Sequence, residues 1–201
     1  MNNYHYYSEN EEGLKSDPQA YTFNYKNHKF TFKTDNGVFS KKYIDFGSYT
    51  MLNYFTPSEI DGEILDCGCG YGPIGIVVAT LYNKKVTMID INERAIGLAK
   101  ENIRIHNVQN VNVFKSNIYS NVPDTCKFAS IITNPPIRAG KQVIYGIYDG
   151  AYDRLLPGGA LWVVIQKKQG APSTKAHLEE LFGNCEVVGK ESGYFILKSV
   201  R

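Results

Sequence analysis

No stretch of the sequence approaches the ~20 consecutive apolar residues that a membrane-crossing helix requires, so no membrane span is expected. The opening MNNYHYYSENEEG is polar and lacks the apolar centre of a signal peptide, which leads to the expectation of a cytoplasmic protein. Cysteine is scarce, at positions 67, 69, 126 and 185. Cys67 and Cys69 stand close together, but no second Cys or His pair completes a zinc set. Buried thiols in a reducing compartment, and no metal, are therefore expected. The four histidines, His5, His28, His106 and His177, are scattered and none ends a strand, so none is assigned a catalytic role. Charge of one sign is also lacking: the net +2 announces no strongly basic surface. A local patch can still bind nucleic acid while the total stays near neutral. Repeats, low-complexity tracts and linkers are absent too, and 201 residues suit one domain with a real core.

What the chain does have is concentrated at Glu63–Gly75, EILDCGCGYGPIG. An apolar run, Ile64-Leu65, leads to Asp66 and then to Gly68, Gly70, Gly72 and Gly75. Ile74, Val77, Val78 and Leu81 follow at helical spacing, so the pattern is strand, tight loop, helix. Glycines let the backbone turn sharply and approach a ligand, and the helix aims its free N–H groups at whatever the loop holds. Gly70, Gly72 and Gly75 also fit the spacing of a dinucleotide-binding turn, with Asp90 near the place of its ribose-binding acid. Asp66 speaks against that ligand, because a carboxylate repels a pyrophosphate. It favours one carrying an ammonium group, as S-adenosylmethionine does.

From residue 63 onward strands are expected at 63–67, 85–90, 111–115, 128–133 and 159–166, and helices at about 73–82, 93–106, 142–155 and 173–182. The alternation predicts βαβ units and a mainly parallel sheet. CEVVGKE and YFILKSV, split by Ser192-Gly193, are too close for a crossover helix and predict an antiparallel hairpin at one edge. Before residue 61 the pattern differs. A polar lead-in with Tyr4, Tyr6 and Tyr7 runs to residue 20. Two strands then flank Lys26-Asn27, and a short helix capped by Ser48 buries Met51, Leu52 and Phe55. The expected organisation is one globular unit: an N-terminal β-rich extension over 1–60 packed on a domain over 61–201. The expected fold class is α/β and Rossmann-like, a mainly parallel seven-stranded sheet with an antiparallel C-terminal hairpin strand.

In such sheets the ligand lies beyond the carboxyl ends of the strands, where the strand order reverses. Asp90-Ile91-Asn92 ends the second strand. Asp90 can accept from a ribose diol or cap the next helix, with Asn92 free to take the cap. Asn117 can bond an adenine edge or serve as a turn residue. Asn134-Pro135-Pro136 ends the fourth strand as a loop locked by two prolines. It offers two fixed acceptors, the Asn134 side-chain oxygen and the Pro135 carbonyl, which match the two hydrogens of a planar amino group. The bland alternative is a turn that merely ends the strand.

The series Asp66-Cys67-Gly68-Cys69-Gly70-Tyr71-Gly72, Asp90, Asn117 and Asn134-Pro135-Pro136 resembles the class I S-adenosylmethionine-dependent methyltransferases. Gly37-Val38-Phe39-Ser40, Ile44-Asp45-Phe46-Gly47-Ser48 and Ser116-Asn117-Ile118-Tyr119-Ser120 bring the resemblance to the RsmC-type ribosomal RNA guanine-N2-methyltransferases, in their shorter, single-domain form. It runs from about residue 20 to the C-terminus. It implies S-adenosylmethionine as cofactor, held by Phe39, Asp45, Gly47, Ser48, Asp66, Gly68, Cys69, Gly70, Gly72, Asp90, Ile91, Asn117, Ile118 and Asn134. It implies catalysis at Asn134, Pro135 and Pro136, and ribosomal RNA or a ribosomal subunit of the 16S type as substrate. The position after the prolines is usually aromatic in this group and is Ile137 here, followed by Arg138 and Lys141 as further substrate contacts. Lys41-Lys42, Lys84-Lys85 and Lys167-Lys168 are candidate phosphate contacts or plain solvated surface. Three other readings share part of the pattern. Protein glutamine methyltransferases share Asn-Pro-Pro but usually follow it with Tyr. A nicotinamide-binding oxidoreductase leaves Asp66 and Asn-Pro-Pro without a task. The third is a non-catalytic binding module that keeps the cofactor fold.

Overall fold

The computed structural model describes residues 14–201, so the Tyr4, Tyr6, Tyr7 lead-in and His5 lie outside the described residues. The chain runs β1 (Gln19–Tyr25), β2 (His28–Thr34), α1 (Phe46–Tyr54), β3 (Glu63–Cys67), α2 (Pro73–Tyr82), β4 (Val86–Asp90), α3 (Glu93–Ile105), β5 (Val111–Lys115), β6 (Phe128–Thr133), α4 (Lys141–Arg154), β7 (Leu155–Gln166), α5 (Ala171–Phe182), β8 (Glu186–Glu191) and β9 (Tyr194–Val200). β1 and β2 form a separate antiparallel hairpin, and the other seven strands form one sheet in the order β5-β4-β3-β6-β7-β9-β8. The first five of these are parallel, and β9 runs antiparallel to both β7 and β8.

Strand periodicity sorts the core into two layers, since successive side chains point to opposite faces. Ile64, Ile132, Trp162 and Ile196 face α1, α2, α3 and the hairpin. Leu65, Ile131, Leu161 and Leu197, each one residue away, face α4 and α5. α2 is apolar on nearly every side because it lies between the sheet and α1, with Pro73–Ala79 all buried. α3 instead shows charge outward and buries Ala95, Ile96, Ala99 and Asn102.

Several boundaries differ from expectation for identifiable reasons. β1 begins at Gln19, inside the stretch expected to be irregular. β7 begins at Leu155, and its pairing with β6 jumps from Phe128↔Leu155 to Ser130↔Ala160. The Pro157-Gly158-Gly159 turn is thus a bulge inside the strand rather than its start; Gly158 holds φ +80 and lets the chain loop out and rejoin the ladder. α1 is capped by Asp45, whose Oδ1 accepts from the Ser48 N–H at 2.9 Å. Ser48 is therefore a first-turn residue rather than the cap, because the Asp45 carboxylate three residues earlier already satisfies its N–H.

The strand order reverses at β3, whose neighbours are β4 on one side and β6 on the other. The glycine loop after β3 and the Asn-Pro-Pro loop after β6 therefore leave the sheet side by side, joined by a bond from the Thr133 hydroxyl to the Cys67 carbonyl at 2.9 Å.

Candidate active-site cleft at the strand-order reversal

A cleft of about 290 Å³ opens above this point. Its floor is the glycine loop, where Gly68, Gly70 and Gly72 hold φ of +78, +57 and +97, values that L side chains rarely adopt. Gly75 has a different reason: a Cβ there would lie 2.3 Å from Met88 Sδ, so α2 sits directly against β4. The Gly75 N–H donates to Asp66 Oδ2 at 2.8 Å. Asp66 is 1% exposed. Burial pushes its carboxyl up to about 7, against the Gly75 bond and with the Asp90 charge adding to the rise. Asp66 lines the cleft as a buried acid.

Asp90 also lines the cleft. Its two oxygens accept from the Gly70 and Asn92 N–H groups at 2.8 and 2.9 Å, which fixes the carboxylate and ties the loop to β4. Each oxygen keeps a lone pair for a hydroxyl donor. Burial raises its pKa against these bonds. Asn92 takes the cap of α3, accepting from the Ala95 N–H, so Asp90 is left for the cleft.

At the other end Asn134 is held by its amide nitrogen, which donates to Asp45 Oδ1 at 3.0 Å and to Ser48 Oγ at 3.1 Å. With Nδ2 bound to α1, the amide carbonyl oxygen is the free end. The Pro136 carbonyl accepts from the Ala139 N–H at 2.9 Å, closing a 3₁₀ turn over Ile137–Ala139. That turn, unforeseen in the sequence, precedes α4.

Phe39, Asp45, Ser48, Gly68, Cys69, Gly70, Ile91, Ile118, Pro135, Pro136, Ile137 and Arg138 also line the cleft. Four residues expected here do not line it. Gly72 caps α2 behind the loop. Gly47 lies under Asn134 and Tyr194. Asn117 is exposed in a turn whose carbonyl accepts from the Ser120 N–H. Lys141 stands over the Tyr145 ring, 4.8 Å from its centroid, beside a neighbouring hollow. Lys84 and Lys85 lie at the amino ends of the strands, opposite the cleft, near Asp61 and Glu63. Among the described residues no cluster of His, Cys, Asp or Glu could hold a metal ion, and no helix is long and apolar enough to cross a membrane.

Sequence reasoning missed Tyr194 and Gln169 in the lining, and also Asn102. This fully buried amide accepts from the Lys33 N–H at 2.8 Å and donates to the carbonyls of Lys33 and Tyr71 at 3.0 and 2.9 Å. Tyr71, inside the glycine loop, shares a 2.8 Å hydroxyl contact with Tyr21 of the hairpin. The hairpin is thereby tied to the loop once directly and once through Asn102 of α3. Asparagine at mid-helix, where its propensity is poor, was the one available signal.

A family model described as methyltransferase small domain matches residues 29–198. An uncharacterized protein of Bacillus subtilis, YbxB, is 49% identical over 196 residues, covering 97% of each chain. Ribosomal RNA small subunit methyltransferase C of Vibrio cholerae is 30% identical over 183 residues, 89% of this chain and 52% of that protein. This chain thus spans about half the length of the curated relatives of that name. Among solved structures, a T. thermophilus 16S rRNA N2 methyltransferase (RsmC) in complex with AdoMet and guanosine has a TM-score of 0.82 at 23% identity, over 94% of this chain and 52% of that one.

Proposed function

The chain belongs to the methyltransferase small domain family, and on that premise we propose that it uses S-adenosylmethionine to methylate the exocyclic 2-amino group of a guanine in ribosomal RNA of the small subunit. The carrying observation is the anchoring of Asn134. Asp45 and Ser48 hold its NH₂ group, which leaves its carbonyl oxygen for an amino group in the cleft. The relatives named for small-subunit ribosomal RNA methylation supply the substrate class.

The cleft suits the cofactor. Asp66 offers a buried acid to the ammonium, Asp90 a fixed carboxylate to the ribose hydroxyls, and Ile91 and Ile118 apolar walls. When bound, S-adenosylmethionine supplies an electrophilic methyl group for in-line displacement. A guanine 2-amino nitrogen is a poor nucleophile because its lone pair is delocalised into the ring. Asn134 Oδ1 and the Pro135 carbonyl accept its two N–H bonds, aim the lone pair and stabilise the positive charge that develops on nitrogen. Pro136 stiffens the loop. The surplus proton leaves to water after transfer, so no general base is required. A base within a helix must first be unstacked; Arg138 in the cleft lining, and Lys141 beside the neighbouring hollow, are the candidate contacts for flanking phosphates. A pyrophosphate ligand is disfavoured, since it would meet the carboxylates of Asp66 and Asp90.

Transfer of labelled methyl from S-adenosylmethionine to purified small subunits, with nucleoside analysis, tests the reading. Label in 2-methylguanosine is expected. Label in protein, or none in RNA despite cofactor binding by calorimetry, sinks it.

A further inference from the structure

Beside Asn134 stands a pair of aromatic rings that the reaction as described does not use. Tyr194, the first residue of β9, lines the cleft. Its ring centroid is 5.4 Å from that of Phe46, at an interplanar angle of 47°. Phe46 opens α1 one residue after Asp45, so it rides on the helix turn that holds Asn134. A Cβ on Gly47 would lie 3.1 Å from Tyr194 Cε1 and 3.3 Å from Asn134 Nδ2. Ring and amide thus both close on Gly47, and a side chain at position 47 would press on each. Phe46 is 39% exposed and Tyr194 half-buried, whereas Phe30, Phe32 and Phe55 are at most 2% exposed. Tyr194 thus lines the cleft, and the exposed Phe46 ring backs it from α1. Ile137, which directly follows the prolines, can pack on a base but cannot stack on it.

We propose that Tyr194 and Phe46 form the stacking surface for the target base, supplying from β9 and α1 the aromatic contact that Ile137 does not. The proposal rests on the reading that the substrate is a nucleobase. Stacking on a ring is tolerant of base identity. Selectivity therefore falls to the acceptors at Asn134 and Pro135, and the rings set the height and tilt at which the amino group meets them.

Two measurements test this. In methyl transfer to small subunits, Tyr194→Ala should raise KM by roughly 5- to 150-fold, the span of a lost base–aromatic stack, with cofactor affinity by calorimetry unchanged. Tyr194→Phe should keep the wild-type KM, and adding Ile137→Phe to Tyr194→Ala should recover part of the loss. Separately, Tyr194→Trp places a fluorophore on the surface against the constant background of buried Trp162. Titration with guanosine 5′-monophosphate, with S-adenosylhomocysteine present, should quench its emission saturably. An unchanged KM in Tyr194→Ala, or no saturable quenching in Tyr194→Trp, overturns the proposal. If the wild-type enzyme labels no RNA, the proposed function falls, and the quenching titration still decides this one on the nucleotide alone.

Discussion

The two ends of the cleft are built in opposite ways. The glycine-loop end comes from thirteen consecutive residues, Glu63–Gly75, with Asp90 added by the neighbouring strand. Its geometry follows from backbone: three glycines at positive φ and one at a close helix–strand approach. The Asn134 end is built from side chains far apart in sequence, with Asp45 and Ser48 lying 89 and 86 residues from the asparagine they orient. Local geometry leaves a motif in the sequence. Long-range geometry leaves single residues whose purpose shows only in the fold. Beyond the cofactor contacts at Asp66 and Asp90, an end of the first kind should resist side-chain truncation outside its glycines, whereas the second should yield to it at several positions.

The contrast breaks most sharply at Asn134. Asn134→Ala should lower kcat by roughly 10²–10³-fold, the usual loss for a transition-state hydrogen-bonding group, while cofactor affinity by calorimetry stays near wild type. A comparable fall in both would mean that the two ends are not separable. Next comes Asn102→Leu, which strands the Lys33 N–H and two carbonyls. About 3 kcal/mol of stability should be lost in urea unfolding; a loss below ~1 kcal/mol would mean that water replaces the bridge.

Asp66 sharpens the comparison through pH. Its carboxyl rises from 3.8 to about 7 on folding, so the folded protein binds the extra proton. The stability this contributes is complete below pH 3.8 and is lost as pH rises through about 7. Asp90, raised by the same burial, slopes the same way. Asp66→Asn should flatten the decline between about pH 4 and 7. In the wild type, affinity for S-adenosylmethionine should climb as pH rises through about 7, with proton release in calorimetry run in buffers of differing ionisation enthalpy. Affinity independent of pH from 5 to 8 would remove Asp66 from the ammonium site. The smallest effect is expected from Ser48→Ala. Asp45 still holds Asn134, so one neutral hydrogen bond is lost, or about 2- to 12-fold in kcat.

The sheet was legible in the sequence because each parallel strand reads as an apolar run and each helix between strands keeps the helical period. β3, β5 and β6 fall where the pattern puts them, and the C-terminal hairpin was legible from the shortness of Ser192-Gly193. Its threading was not: β9 lies between β7 and β8, and nothing local says which strand of a hairpin takes the inner place. Asp66 and Asn134 stood out because acid and amide break apolar strands at their ends. Tyr194 did not, because an aromatic opening a strand looks like any other core residue. Asp45 was named for the cofactor, yet its carboxylate caps α1 and grips Asn134, a partnership visible only once residues 45 and 134 meet.

The Asn102 bridge has a consequence for motion. Its amide bonds both edges of Lys33 on β2 and the Tyr71 carbonyl in the glycine loop. The hairpin lifts from α3 only by breaking both Lys33 bonds, and from the loop only by parting Tyr21 from Tyr71. In hydrogen-exchange terms, β2 and the loop are expected to open as one cooperative unit. A ligand that closes on the loop should then slow exchange in the hairpin.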